Sequence, residues 1–439
     1  MFVEVRQLNG RQPGCIGINV ARRLYGIHRD MTCPRAKRRM SARFTRRCFI
    51  ASVGLGTAGL CVGQDASGGN LDAFIRVGME SAHIPGLSLA IIRDGKLLRA
   101  TGYGFANIAQ QRPMRADTLI NVGSVTKTTT CTAVMQQWER KKFSLDDDVN
   151  PYLSFRVRNT AYPEVPLTFR QLLTHTSSIA DGPAYDRSYA CGDSRVPLGQ
   201  WLRDYLTPGG ALYDPKRNFH RSKPGTQFAY SNIAYGLLGH LVETFSGMPY
   251  SDYMLERVFA PIGMSHSRFL LAGMDPQSHA TPYTYVKGGH VARVELRDPA
   301  WTPPADTRGG VQVPHCLYSF GTPPDGLART TAEDLSRLLR VYMNGGELDG
   351  QRVLQSATVA QILSDQHVHS GPMAGKQGLT WYLQDDLRSG TVWGHGGEDP
   401  GISTLIFLRP RDGRGAAILT NSSAGYETAA KIARRVLAE

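Results

Sequence analysis

The chain has 439 residues, ample to bury a core, and a formal net charge of +13 at pH 7. That charge invites a nucleic-acid reading, but residues 1–63 hold twelve Lys or Arg against two acids, which leaves +3 for everything after them. A nearly neutral body carries no basic stripe to follow a phosphate backbone, so composition argues against nucleic-acid binding.

The basic segment has a job of its own. Thr45-Arg46-Arg47-Cys48-Phe49-Ile50 precedes a small, apolar, uncharged stretch from Ala51 to Gly63. Paired arginines before a modest apolar run resemble a twin-arginine export signal, and the run is shorter than the ~20 residues a spanning helix needs. The expectation is a leader over 1–63, with 1–39 a spurious extension, Met40 or Met31 the true start, and the export signal over 40–63. It would place the protein in a bacterial periplasm or outside the cell, meeting the membrane only through that signal. Residues 64–439 then form one domain with a helical insertion at about 141–375. Of seven cysteines, Cys15, Cys33, Cys48 and Cys61 lie in the leader. Cys131, Cys191 and Cys316 are too few for a disulfide framework. A Cys191–Cys316 bridge would suit an oxidising compartment, though nothing in the sequence demands it, and Cys131 reads as core.

After the link at 64–69, a helix is expected from Leu71 to Ala82 and a buried strand over Pro85–Arg93. Asp94-Gly95 turns a hairpin into a second strand, Lys96–Gly104. A helix begins after Gly123 and runs to about Arg140. Between 141 and 375 amphipathic helices alternate with Pro/Gly loops. Thr168 caps one helix. Ile233, Leu237, Leu241 and Phe245 line another, stopped by Gly247. Thr330 and Glu333 form a capping box for a third, and 301–329 is mostly loop. Strands return at Leu379–Gln384, Thr391–Trp393, Ser403–Leu408 and Gly415–Thr420, and a helix from Glu427 to Leu437 follows. The fold class is α+β: an antiparallel sheet built from both chain ends, flanked by helices, with a large helical domain inserted. The cleft between the two parts is the default ligand site.

Ser124-Val-Thr-Lys127 puts a hydroxyl and an amine three residues apart, on one helix face and about a turn from each other. A serine nucleophile needs that geometry when a lysine takes or relays its proton. A Ser with a Lys three on occurs about once by chance in a chain this long, so the tetrapeptide alone is weak. It is followed in fixed order by Tyr230-Ser231-Asn232 and His395-Gly396-Gly397, and the trio reads as an acyl-transferring serine hydrolase. Ser124 follows Gly123 at a helix start, where unpaired amides favour negative charge. Near-motifs are set aside: Tyr342-Met-Asn344 ends a helix, Lys376-Gln-Gly378 precedes a strand, and His367-Val-His369 has no partner at metal-ligand spacing. No metal or organic cofactor is indicated.

With Ile84-Pro-Gly-Leu87, Leu172-Leu-Thr-His-Thr-Ser177 and Pro224-Gly-Thr-Gln-Phe-Ala-Tyr-Ser-Asn232 added, the chain resembles the class C β-lactamase and serine D-Ala-D-Ala carboxypeptidase superfamily, the β-lactamase-related serine hydrolases. The resemblance runs from about Ile84 to Thr420. It implies a β-lactamase/transpeptidase-like fold and an acyl-enzyme on Ser124, formed from an amide or ester: a β-lactam, a D-amino-acid peptide or an ester. Lys127 and Tyr230 would share the proton transfers, with the choice of acylation base open. Asn232 would hold the substrate's acyl-side amide, and the backbone N–H groups of Ser124 and Glu398 would form the oxyanion hole. Gly396 and Gly397 would let substrate lie along an edge strand. His395 is the departure: β-lactamases of this superfamily usually carry lysine there, and a histidine, largely neutral at pH 7, offers no fixed charge to a carboxylate. His175 reads as structural. The alternative is a penicillin-binding sensor or peptide-binding module with little turnover, against which the intact Lys127 and Tyr230 argue. The partner is a small molecule or peptide; oligomeric state is not legible.

Overall fold

The computed structural model describes residues 68–287, 290–368, 376–383 and 391–439. The leader and export signal expected over 1–63 lie outside the described residues.

Alternation of apolar side chains sets the central sheet. After helix α1 (Gly68–Ser81), strand β1 (Gly86–Arg93) is buried along nearly its whole length. Leu87, Leu89 and Ile91 enter one core while Ala90 and Ile92 enter another, as a period of two requires of a strand covered on both faces. Asp94 and Gly95 both have positive φ, 51° and 69°, which aspartate tolerates and glycine adopts freely. They turn the chain into β2 (Lys96–Asn107), which pairs with the short β3 (Arg112–Pro113).

Three helices matter most for the site: α2 (Thr126–Glu139), α3 (Asn232–Ser246) and α4 (Ala332–Met343). Ser231 caps α3 by accepting from Ala234 N, and Gly247 ends it at φ 70°. The cap of α4 is Thr331, not the expected Thr330: its side chain accepts from Asp334 N, three residues on, which leaves Thr330 in a short strand. The region 301–329 is mostly loop, as expected, and also contributes Val311–Pro314, paired with Tyr283–Val286. Four-residue ladders of this kind are too short to print a periodicity. Cys191 and Cys316 are bridged, with Cα atoms 5.7 Å apart, beside the pairing of Ala190–Cys191 with Tyr318–Ser319. Cys131 is buried and unbridged.

The C-terminal strands are β4 (Tyr382–Leu383), β5 (Trp393–Asp399), β6 (Ile402–Arg409) and β7 (Arg414–Thr420), followed by α5 (Tyr426–Ala438). The order is β4-β5-β6-β7-β1-β2-β3, antiparallel throughout. β1 and β7 lie side by side, from Leu87 opposite Thr420 to Ile92 opposite Gly415, so the two ends of the domain meet inside one sheet. Helices α1 and α5 pack on one face around Ile75, Leu89, Phe407, Ile418 and Ile432; the other face joins the larger core with α2, α3 and α4. One boundary differs from expectation in a way that matters. A strand expected to stop at Trp393 runs on to Asp399, carrying the His395-Gly-Gly motif within it. Three glycines and a terminal acid pair suppress the strand signal, while the continuous register with β6 from Trp393 to Asp399 supplies the stability that propensity lacks.

Candidate active site

The chain reaches the site through Asn121-Val122-Gly123. Gly123 has φ 51°, and a Cβ there would approach Glu398 N to 3.2 Å. Residues Gly123–Val125 make one tight turn that continues as α2. Within Val122–Gln137 only Ser124 keeps partial exposure. Its hydroxyl is therefore the atom of this helix offered to a ligand.

Lys127, one turn on, is wholly buried. Its Nζ donates to Ser124 Oγ at 3.1 Å, Asn232 Oδ1 at 2.7 Å and the main-chain oxygen of Asp325 at 2.8 Å. It also lies 4.9 Å from the ring centre of Tyr230 and 5.5 Å from that of Tyr235. All three hydrogen-bonded oxygens are neutral. Burial pushes the Lys127 pKa down to about 8, against the pull of the Asp325, Asp181 and Asp399 carboxylates, which favour the ammonium. The geometry suits a neutral amine as well as a charged one. Asn232 Oδ1 and Asp325 O can only accept, so two N–H groups face them and the lone pair is left for the Ser124 O–H.

Tyr230 is half-buried, with its hydroxyl inside the protein and no well-formed hydrogen bond among the described residues. Burial, with Asp325, Asp181 and Asp399, drives its pKa far up, against the pull of the nearby Ser124 hydroxyl. The phenol is thus held neutral. Its ring stacks on His175 at 4.3 Å, and His175 Nδ1 accepts from Ser231 N at 3.1 Å. Buried among aromatic rings and beside Lys127, His175 stays uncharged and acts as a wall, in line with its structural reading.

Asn232, expected to meet the substrate, is already engaged. Besides taking the Lys127 proton donor at Oδ1, it donates Nδ2–H to Asp181 Oδ2 at 3.0 Å. One amide hydrogen and one oxygen lone pair remain beyond those two contacts.

The opposite wall is β5. β4 pairs with Trp393 and Gly394 alone, so from His395 onward the outer edge of β5 has no strand beside it among the described residues. Gly397 packs on the turn that carries Ser124: a Cβ there would sit 2.1 Å from Val122 O, 2.5 Å from Thr404 Oγ1 and 3.0 Å from Ser124 N. The bare backbone is needed to seat the strand against the nucleophile's turn, a stricter demand than room for substrate. It brings the chain at Glu398 N next to Ser124 N, the pair expected to hold an oxyanion. His395 is fully buried. Its Nδ1–H donates to Gly396 O at 2.7 Å, which leaves Nε2 as an acceptor with no partner among the described residues. Burial, aided by Lys127, lowers its pKa to about 3, so it is neutral here.

A sequence profile of the Beta-lactamase family matches residues 71–439. The chain belongs to the Beta-lactamase family. Protein flp of Staphylococcus aureus (strain MRSA252) is 23% identical over 357 residues, 81% of this chain and 63% of that protein. The chain thus spans less than two thirds of the curated relatives it matches. The octameric penicillin-binding protein homologue from Pyrococcus abyssi is similar at TM-score 0.67 and 26% identity, over 84% of this chain and 76% of that one. The D-alanine carboxypeptidase AmpC from Burkholderia cenocepacia shares the fold at TM-score 0.62 and 24% identity, over 84% and 99% of the two chains. This β-lactamase-family protein is therefore a β-lactamase-fold member of a serine hydrolase family.

Three carboxyl groups escaped the sequence reading. Asp325, buried, and Asp181 and Asp399, half-buried, surround Lys127. Asp325 takes hydrogen bonds from Tyr185 at 2.9 Å and from Thr322, and burial raises its pKa to about 8. Asp399 takes one from Tyr189 at 2.9 Å and is raised by burial to about 7. Each sits in a loop, at a short turn or at a strand end, indistinguishable by sequence from a solvated acid. Among the described residues no three His, Cys, Asp or Glu side chains cluster as a metal site.

Proposed function

We propose that the protein hydrolyses an amide or ester through an acyl-enzyme on Ser124. The observation that carries this reading is the Lys127 amine, buried, 3.1 Å from Ser124 Oγ and otherwise bonded only to two neutral acceptors. Ser124 Oγ attacks the carbonyl carbon as its proton passes to Lys127 Nζ; a pKa of about 8 is close enough to ambient pH for useful base catalysis. Lys127 rather than Tyr230 is the acylation base on this reading, because burial and three carboxylates oppose the phenolate. The amine or alkoxide leaving group takes a proton from the Tyr230 phenol or the newly formed lysine ammonium. Water then attacks the ester carbonyl, giving its proton back along the same path and releasing the acid and free Ser124. Ser124 N–H and Glu398 N–H bind the oxyanion, each donor worth about 3 kcal/mol in such sites.

A neutral His395 in place of a cation supports substrates without a carboxylate at that end, such as esters and amides, over efficient β-lactam turnover. The relatives named as penicillin-binding keep slow acylation by β-lactams in view. The twin-arginine pattern supports export to the periplasm or beyond. Intact-mass spectrometry of residues 64–439 with a p-nitrophenyl ester and with a penicillin tests the proposal. Turnover of the ester, with a transient acyl adduct on Ser124 that Ser124→Ala abolishes, is expected. Undiminished hydrolysis by the Ala variant would sink it, and a stoichiometric penicillin adduct without release would move the protein to the sensor class.

A further inference from the structure

Asp181 lies on the segment after Thr176-Ser177-Ser178, half-buried under the start of α3. Its Oδ1 accepts from Ser231 Oγ at 3.3 Å, Asn232 N at 2.9 Å and Ile233 N at 3.1 Å. Its Oδ2 accepts from Asn232 N at 3.0 Å and Asn232 Nδ2 at 3.0 Å. Ser231 Oγ itself accepts from Ala234 N at 3.1 Å, so its hydrogen is free to point at Asp181. Every one of these neighbours donates, and an ionised carboxylate accepts from all of them at once. Burial raises its pKa above the ordinary carboxylate value, and the Asn232 and Ile233 amides, Lys127 and the Ser231 hydroxyl hold that rise down.

The consequence reaches the nucleophile. An asparagine amide can be turned either way, and a carboxylate can face only its NH2 end. With Nδ2 held by Asp181, Oδ1 has to face Lys127, where it takes the shortest of the three Nζ contacts. We propose that Asp181 is a positioning residue for the catalytic lysine: it fixes the Asn232 amide so that an oxygen, never an amide hydrogen, meets Lys127 and holds the amine against Ser124. The chain Asp181–Asn232–Lys127–Ser124 orders the base as a third group orders the base in other nucleophile–base pairs. This rests on the assignment of Lys127 as base.

The other groups facing Lys127 are Asp325, Asp399, Tyr230, Tyr235, His175 and His395. None of them hydrogen-bonds to the Asn232 side chain among the described residues, where its partners are Lys127 and Asp181. In Asp181→Asn the new NH2 would face the Asn232 NH2, and relief comes by turning one amide over. Turning Asn232 presents a hydrogen to Lys127 and breaks its hold. Loss of the negative charge also favours the free amine, so the acid limb of kcat/KM moves to lower pH.

The test is a double-mutant cycle on the esterase reaction with Asp181→Asn, Asn232→Ala and the pair, alongside Ser124→Ala, thermal unfolding and full pH profiles. The expected result is a fall of about 10- to 100-fold in kcat/KM for Asp181→Asn, the size of a lost hydrogen bond to a charged group. The acid limb should shift down, and the pair should be no slower than Asn232→Ala alone. Independent penalties that multiply, or an unshifted profile with near wild-type rate, overturn the proposal. If Asp181→Asn does not fold, Asp181→Ser, whose hydroxyl can still cap the helix amides, is read by the same criteria. If Ser124→Ala remains active, the acyl-enzyme reading has failed instead.

Discussion

The two walls of the cleft are finished to different degrees. On the helix side Lys127 spends all three Nζ contacts, Asn232 is gripped at both ends of its amide, and Asp181 takes five hydrogen bonds. On the strand side, among the described residues, His395 keeps an acceptor nitrogen with no partner and β5 runs on from His395 without a strand at its outer edge. The contrast teaches where the work of each wall lies. A proton-moving group has to be poised before substrate arrives, because reorganising charge during the reaction costs rate. A substrate-binding edge is completed by the substrate itself, whose main chain supplies the missing partners.

Four experiments press on that contrast, from the largest expected effect to the smallest. Ser124→Ala should cost on the order of 10⁴-fold or more in kcat while retaining the fold, since residues acting as one unit fail together. A change below tenfold in a purified, folded variant would move the nucleophile elsewhere. Lys127→Met, close in volume, should cost about 10³-fold and remove the acid limb of kcat/KM. In the wild type that limb belongs to the free amine, so the rate should rise with pH through about 8. A limb surviving unchanged in the Met variant would hand the base to Tyr230.

Gly397→Ala tests whether the strand wall is shaped by packing. The added methyl meets Val122 O at 2.1 Å and has to displace backbone on one side or the other. Moving an oxyanion donor by about 1 Å typically costs about 10²-fold in rate, so kcat should drop by that order with little change in KM. Wild-type kinetics in the Ala variant would mean that the two walls are not in contact as described.

The smallest effect concerns stability. His395 has a folded pKa of about 3, below its ordinary 6.5, so the unfolded chain takes up the proton first. Its contribution is whole above about pH 6.5 and is lost as pH falls toward 3. His395→Gln should flatten the fall in unfolding free energy between pH 7 and about pH 5 by roughly 1–2 kcal/mol, read from urea titrations. An identical slope in both proteins would place the histidine in contact with water.

The family motifs and the architecture were legible because they are local or periodic. Ser124 and Lys127 are three apart on a helix, β1 shows its two-residue alternation, and Asp94-Gly95 spells its own turn. The cap of α4 was misread by one residue because Thr330 and Thr331 are chemically alike, and only the backbone path distinguishes them. Strand β5 was cut short because glycines carry no strand propensity, while its register with β6 is a long-range property.

What the sequence determined by itself was the set of reactive side chains and the elements bearing them, since hydroxyl, amine and helix start are properties of adjacent residues. What tertiary structure alone decided was how those groups are charged and aimed. Lys127 reaches Asn232 across 105 residues and Asp325 across 198, and Asp181 reaches Asn232 across 51. A lysine becomes a base, and an aspartate an orienting anion, through burial and neighbours. Both are set by chain segments that no local pattern connects.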